Sequence, residues 1–136
     1  MRAFLQGLVL ATVFACVSFG NDFIDIKQIS LKKDEQKKIL VKYASYERLF
    51  TFRWTLYIND GLVVFHSYDR SVAQNVLSLN TTNQSFRVEL KPRGADAFRV
   101  PYLLVKFKKF DYKKNEALFE VLLWDDKSQI KLEYLN

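Results

Sequence analysis

Apolar and polar positions alternate at period two through most of the chain, which predicts β-strands. Phe50, Phe52, Trp54, Leu56 and Ile58 form one stripe, and Thr51, Arg53, Thr55 and Tyr57 form the other. Asn59-Asp60-Gly61 follows, and then Leu62–Tyr68. Asp-Gly between alternating runs predicts a hairpin, because a type I′ turn needs positive φ at both central positions. A turn centred on Asp60-Gly61 sets His66 opposite Thr55, on the polar face of Arg53 and Tyr57. His66 is therefore expected on the surface.

The end of the chain predicts a second hairpin. Ala117–Trp124 and Gln129–Leu135 alternate on either side of Asp125-Asp126-Lys127-Ser128. Pairing across that loop matches Leu123 with Ile130, Val121 with Leu132 and Phe119 with Tyr134, all on one face. Pro101–Phe110 is the strand before them. Leu103, Val105 and Phe107 share the core face with Phe119, Val121 and Leu123 only if the intervening loop has an odd length. That requirement predicts Asn115 in the left-handed region and a bulge. Weaker strands are Phe23–Leu31, Lys37–Tyr43 and Ser85–Lys91. Ser71–Leu79 reads either as a short helix capped by Ser71 or, over Val76–Leu79, as an edge strand. The expectation is a single antiparallel β-sandwich of seven or eight strands ending in a three-stranded meander. A small closed lipocalin-like β-barrel is the alternative.

Residues 1–20 depart from this pattern. Arg2 precedes an apolar run from Phe4 to Phe14, and Ser18-Phe19-Gly20 offers small residues for cleavage. The run is shorter than the roughly 20 residues a membrane-spanning helix needs. It reads as a secretory signal peptide, which leaves residues 21–136 as one β domain. Val13-Phe14-Ala15-Cys16 resembles the lipobox of bacterial lipoproteins, so lipidation at Cys16 is the second processing route. That route would make the protein lipid-anchored in the envelope rather than periplasmic or secreted.

Composition narrows the chemistry. The chain has 136 residues, one Cys, one His, four Gly and a formal charge of +6. Loss of the leader removes Arg2 and no acid, so the remainder carries one positive charge fewer. With Cys16 gone, neither a disulfide nor a thiol nucleophile remains. No zinc, serine-hydrolase or phosphate-loop motif is present, and no metal or other cofactor is expected. Asn80-Thr81-Thr82 and Asn83-Gln84-Ser85 match the short N-glycosylation sequon. Glu120 and Glu133 fall opposite each other in the predicted hairpin; a carbohydrate-active envelope enzyme would need such an acid pair in a cleft.

Two surfaces stand out. Lys106-Phe107-Lys108-Lys109-Phe110-Asp111-Tyr112-Lys113-Lys114 interleaves bases with aromatics. Lys108, Lys109, Lys113 and Lys114 are candidates for attraction to an anionic surface. Nucleic acid is not expected as a partner for an exported chain. The second face of the predicted terminal meander carries Tyr102, Leu104, Leu118, Leu122, Trp124 and Leu135 beside Lys106, Lys108, Glu120, Lys131 and Glu133. A wet face should not hold so many large apolar groups. Tyr102, Leu104, Lys106, Leu122 and Trp124 are the candidate contacts for a partner or ligand.

The composition resembles that of small periplasmic proteins of AT-rich Gram-negative bacteria. The reading is a non-catalytic binding module of the cell envelope, docking an envelope protein or a small apolar or anionic ligand. Membrane contact is expected only through a lipid on Cys16 or through the basic surface. A lipocalin-like carrier of a small apolar ligand is the alternative. It would need Phe52, Trp54, Phe107 and Phe119 to line a cavity instead of filling a core. The oligomeric state is left open by the sequence.

Overall fold

The computed structural model describes residues 23–91, 100–125 and 129–135. The signal-peptide and Cys16 readings lie outside them. Among the described residues nine strands form: β1 (Asp25–Lys32), β2 (Lys37–Lys42), β3 (Glu47–Ile58), β4 (Gly61–Tyr68), β5 (Ser71–Ser78), β6 (Ser85–Glu89), β7 (Tyr102–Asp111), β8 (Glu116–Trp124) and β9 (Lys131–Tyr134). They make a four-stranded sheet, β1-β8-β7-β6, and a five-stranded sheet, β5-β4-β3-β2-β9. All pairings are antiparallel. The two sheets are not closed into a barrel, so the sandwich stands and the barrel alternative falls.

Two meanders, β2–β5 and β6–β8, account for seven strands. The terminal strands complete the sheets by exchange: β1 joins β8, and β9 joins β2. The three-stranded meander is therefore β6-β7-β8, one strand earlier than predicted. β9 does not pair with β8. Asp125 explains the departure. Its buried carboxylate accepts the N–H groups of Gln129 (2.8 Å) and Ile130 (3.0 Å). An Asp that bonds the backbone four and five residues ahead turns the chain across to the other sheet. Ile130 still enters the core, so the apolar pattern that implied a hairpin is satisfied by crossing over.

β5 covers Ser71–Ser78 and lies at an edge, which resolves the helix-or-strand ambiguity. Its hairpin with β4 turns through Asp69 and Arg70, both at positive φ (49° and 69°). The β3–β4 turn likewise uses Asn59 and Asp60 (51° and 61°), one residue earlier than Asp60-Gly61.

The core is aromatic and solid. Trp54, Phe50, Phe52, Phe107 and Phe119 are each 0–1% exposed. Phe52 meets Phe119 edge-on across the sheets at 5.2 Å between centroids, and Phe107 lies 6.0 Å from Phe119. Phe52, Trp54, Phe107 and Phe119 thus fill the space between the sheets instead of lining a cavity, as the carrier alternative would need. Trp54 Nε1–H donates to the Leu31 carbonyl at 2.7 Å, which ties β3 to β1 and satisfies a buried donor.

Two bulges tune this core. The β3–β4 register slips between Trp54 and Leu56, and the β7–β8 register slips between Phe107 and Lys109. The β7–β8 loop does not have the odd length that strand parity predicts but four residues, 112–115, with Asn115 at φ 53°; the second bulge, at Lys108 within β7, supplies the odd residue instead. The first is new. It places Thr55 as the extra residue, so Tyr57 turns inward while Leu56 (45% exposed) and Ile58 (57%) turn outward. Tyr57 and Phe110, each carried inward just beyond a bulge, stack across the sheets at 4.2 Å.

Candidate functional site

The outer face of the four-stranded sheet is built by β1, β8, β7 and β6 in register. Its polar half follows the rule for a wet face: Gln28, Glu120, Lys106 and Ser85 form one row across the sheet. The next row is Ile26, Leu122, Leu104 and Arg87. Beyond it Tyr102 pairs with Trp124, their rings stacked at 5.5 Å and 18°. Phe23 meets Tyr102 edge-on at 6.4 Å. The Arg87 guanidinium lies 3.7 Å from the Tyr102 ring centroid, a cation–π contact.

Four of the five predicted contacts, Tyr102, Leu104, Leu122 and Trp124, therefore form one patch. Leu122 is its centre and is only 5% exposed, while Ile24 and Ile26 at its rim are 45% and 49% exposed. Lys106 borders the patch in the adjoining row, opposite Glu120. Leu118 shares the sheet face further along, beside Ser30 and Lys109. Leu135, Lys131 and Glu133 do not share it, because they travel with β9. The Leu135 N–H donates to the Lys38 carbonyl, and Glu133 pairs with Lys42 at 2.7 Å. The predicted Glu120–Glu133 acid pair is lost for the same reason: the two carboxylates belong to different sheets.

Three contributors escaped the sequence reading. Ile24 and Ile26 stand out of phase with Ile29 and Leu31 in β1, and that change of phase was the available signal for an apolar outer end. Arg87 carried no such signal, because its position over Tyr102 depends on β6–β7 pairing.

The basic residues gather at the other end of the same hairpin. Lys108, Lys109, Lys113 and Lys114 are all exposed. Asp111 Oδ1 accepts the N–H groups of Lys113 (3.0 Å) and Lys114 (3.1 Å) and so shapes the tip. They are brought together, but the length of β7 separates them from the aromatic patch.

A second concavity opens where β4 and β5 face β6. This groove of about 370 Å³ is lined by Arg48, His66, Tyr68, Asp69, Arg87 and Glu89, among others. His66 is not the exposed surface residue that was expected. The earlier turn moves its partner from Thr55 to Arg53, and the Thr55 bulge then moves it to Phe52 and its face to the interior. The imidazole stacks on Phe86 at 4.1 Å and 10°, and its Nε2–H donates to Asn75 Oδ1 at 2.7 Å. Burial holds its pKa below the ordinary histidine value, although the bond to Asn75 opposes this. Arg48 pairs with Asp69 at 3.1 Å and lies over Tyr43 and Tyr46. The Tyr43 and Tyr68 hydroxyls meet each other and the Leu90 carbonyl (2.7 and 3.0 Å). This cluster clasps the two sheets at one end and engages Arg48, Tyr68 and Asp69 of the groove's polar lining. Among the described residues no group of three His, Cys, Asp or Glu could hold a metal ion.

Comparison with known proteins finds no family model, no curated protein and no solved structure that matches the chain.

Proposed function

We propose that the protein is an exported, non-catalytic binding module that docks an envelope protein through the apolar-aromatic end of its four-stranded sheet. One observation carries this reading. Half of a solvent-facing sheet surface is polar, and the other half holds Tyr102, Leu104, Leu122 and Trp124, enlarged by Ile24 and Ile26. Partner interfaces are built in this way, with a desolvated apolar centre, aromatic anchors and a polar rim. Trp124 and Tyr102 are the anchors, Leu104 and Ile26 are the apolar surface beside them, Leu122 supports them from beneath, and Arg87, Lys106, Glu89 and Glu120 form a rim of mixed charge. Export rests on the leader-like residues 1–20. The positive charge favours encounter with acidic partners and leaves the docking chemistry to the patch.

Trp124 itself reports on this proposal. Trp54 is fully buried, so acrylamide quenching of the folded protein reads Trp124. Addition of the envelope fraction of the producing cell is expected to protect that fluorescence. A Trp124→Phe variant, which leaves only Trp54, should lose the response. Unchanged quenching in the presence of the fraction would contradict the proposal.

A further inference from the structure

The four sheet edges are not equally defended. Edge strands expose unpaired backbone groups, and proteins blunt them with charge, proline, bulges or shortness. β1 carries Asp25, Lys27 and Lys32; β6 has five residues with Arg87 and Glu89; β9 has four, with Lys131 and Glu133. β5 lacks charge, proline and bulge, and among the described residues its one defence is Asn83, which covers its C-terminal end by bonding Ser78 and Val76. Its sequence Ser-Val-Ala-Gln-Asn-Val-Leu-Ser is uncharged and eight residues long, and its pairing to β4 runs without a bulge.

The outward groups of β5 follow from its turn. A two-residue hairpin makes Tyr68 and Ser71 a hydrogen-bonded pair, so Ser71, Ala73, Asn75 and Leu77 bond to β4. Val72, Gln74, Val76 and Ser78 then aim their N–H and C=O groups away from the sheet. Two contacts agree with this parity: the Ser78 N–H donates to the Asn83 carbonyl, and Asn83 Nδ2 donates to the Val76 carbonyl. Among the described residues nothing meets the outward groups of Val72 and Gln74. The same residues turn their side chains to the outer face, where Val72 is 74% and Val76 48% exposed.

We infer that β5 pairs antiparallel with β5 of a second copy of this chain and joins two five-stranded sheets into one. The strand is its own complement. A two-fold axis at Gln74 sets Gln74 opposite Gln74 of the copy, and each copy's Val72 opposite the other's Val76. All three are outward-bonding pairs. Asn83, which lies along this edge bonded to the Ser78 N–H and the Val76 carbonyl, gives way to Ser71 of the copy on association. Both valine pairs fall on the outer face and continue the apolar row Leu56, Val63, Val76 of each sheet. Two copies, each with a net positive charge, can approach here because no charge lies on the strand. A single strand pair buries little area, so the dimer belongs to the weak, concentration-dependent class.

Sedimentation of the purified protein from about 10 µM to about 1 mM, the range where small interfaces dissociate, tests the inference. The wild type should pass from monomer to dimer. Gln74→Lys and Gln74→Glu should each weaken association at least about fivefold by opposing like charges at the axis. An equimolar mixture of the two should restore it. Residue 74 is exposed, so unchanged thermal melting will show that both variants fold. A wild type that stays monomeric, a dimer indifferent to both variants, or a mixture that fails to associate would each overturn the inference.

Discussion

His66 is neutral in the folded protein near neutral pH, pressed against Phe86 and bonded to Asn75. Its folded pKa lies below its unfolded value near 6.5. The unfolded chain therefore binds the proton first as pH falls. Stability contributed by the neutral ring is present above the unfolded pKa and is lost on acidification towards the folded pKa. Thermal melting between about pH 7.5 and about pH 5 should show this decline, and His66→Gln should flatten it. An equal slope in both proteins would contradict the assignment. The tyrosines give an opposed pair of expectations. Tyr43 donates within the clasp to Leu90, and Tyr43→Phe should cost about 1 kcal/mol in denaturant unfolding. The Tyr134 hydroxyl is buried without a partner among the described residues. Tyr134→Phe should be neutral or stabilising by up to about 1 kcal/mol, because it removes an unsatisfied group.

At the scale of the strand, bulges decide which residues face the core. Thr55 is the extra residue of β3, so its deletion restores plain alternation and keeps Trp54 and Tyr57 inward. Deleting Val63 from β4 instead throws Leu62, fully buried, onto the wrong face. Denaturant unfolding should show a loss of about 1–2 kcal/mol or less for the first deletion, and about 2–5 kcal/mol for the second. The same logic explains what the sequence could convey. Parity between β7 and β8 required a bulge, because charged Lys106 and Lys108 had to stay out of the core; the structure has it. Nothing in β3 forced a second bulge, since Leu56 and Ile58 are as apolar as the core residues before them, and His66 was misplaced as a result. β9 was misassigned for a related reason: Ile130 and Leu132 suit either sheet, and only the reach of the Asp125 carboxylate decides between them. Tyr102, Leu104, Leu122 and Trp124 were legible as one face because they lie on adjacent strands joined by a short turn. The contribution of β1 was not, because β1 and β8 are some 90 residues apart in sequence and antiparallel partners at that distance leave only a pattern of phase.

At the scale of the whole molecule, one aromatic core holds two sheets whose outer faces differ in chemistry. The outer face of the five-stranded sheet leads to the uncharged edge of β5. The outer face of the four-stranded sheet carries the aromatic patch at one end and the lysine-rich hairpin tip at the other. The two surfaces are separable: changes at Gln74 should leave docking intact, and changes at Trp124 should leave self-association intact. The most direct measurement is site-resolved photo-crosslinking in the cells that make the protein, with the probe at Ile26 or, on the polar half of the same sheet face, at Ser30. The docking account predicts a discrete adduct from Ile26, distinct in mass from twice the chain, none from Ser30, and loss of the Ile26 adduct in Trp124→Ala. No adduct from Ile26, or equal adducts from both positions, would contradict it.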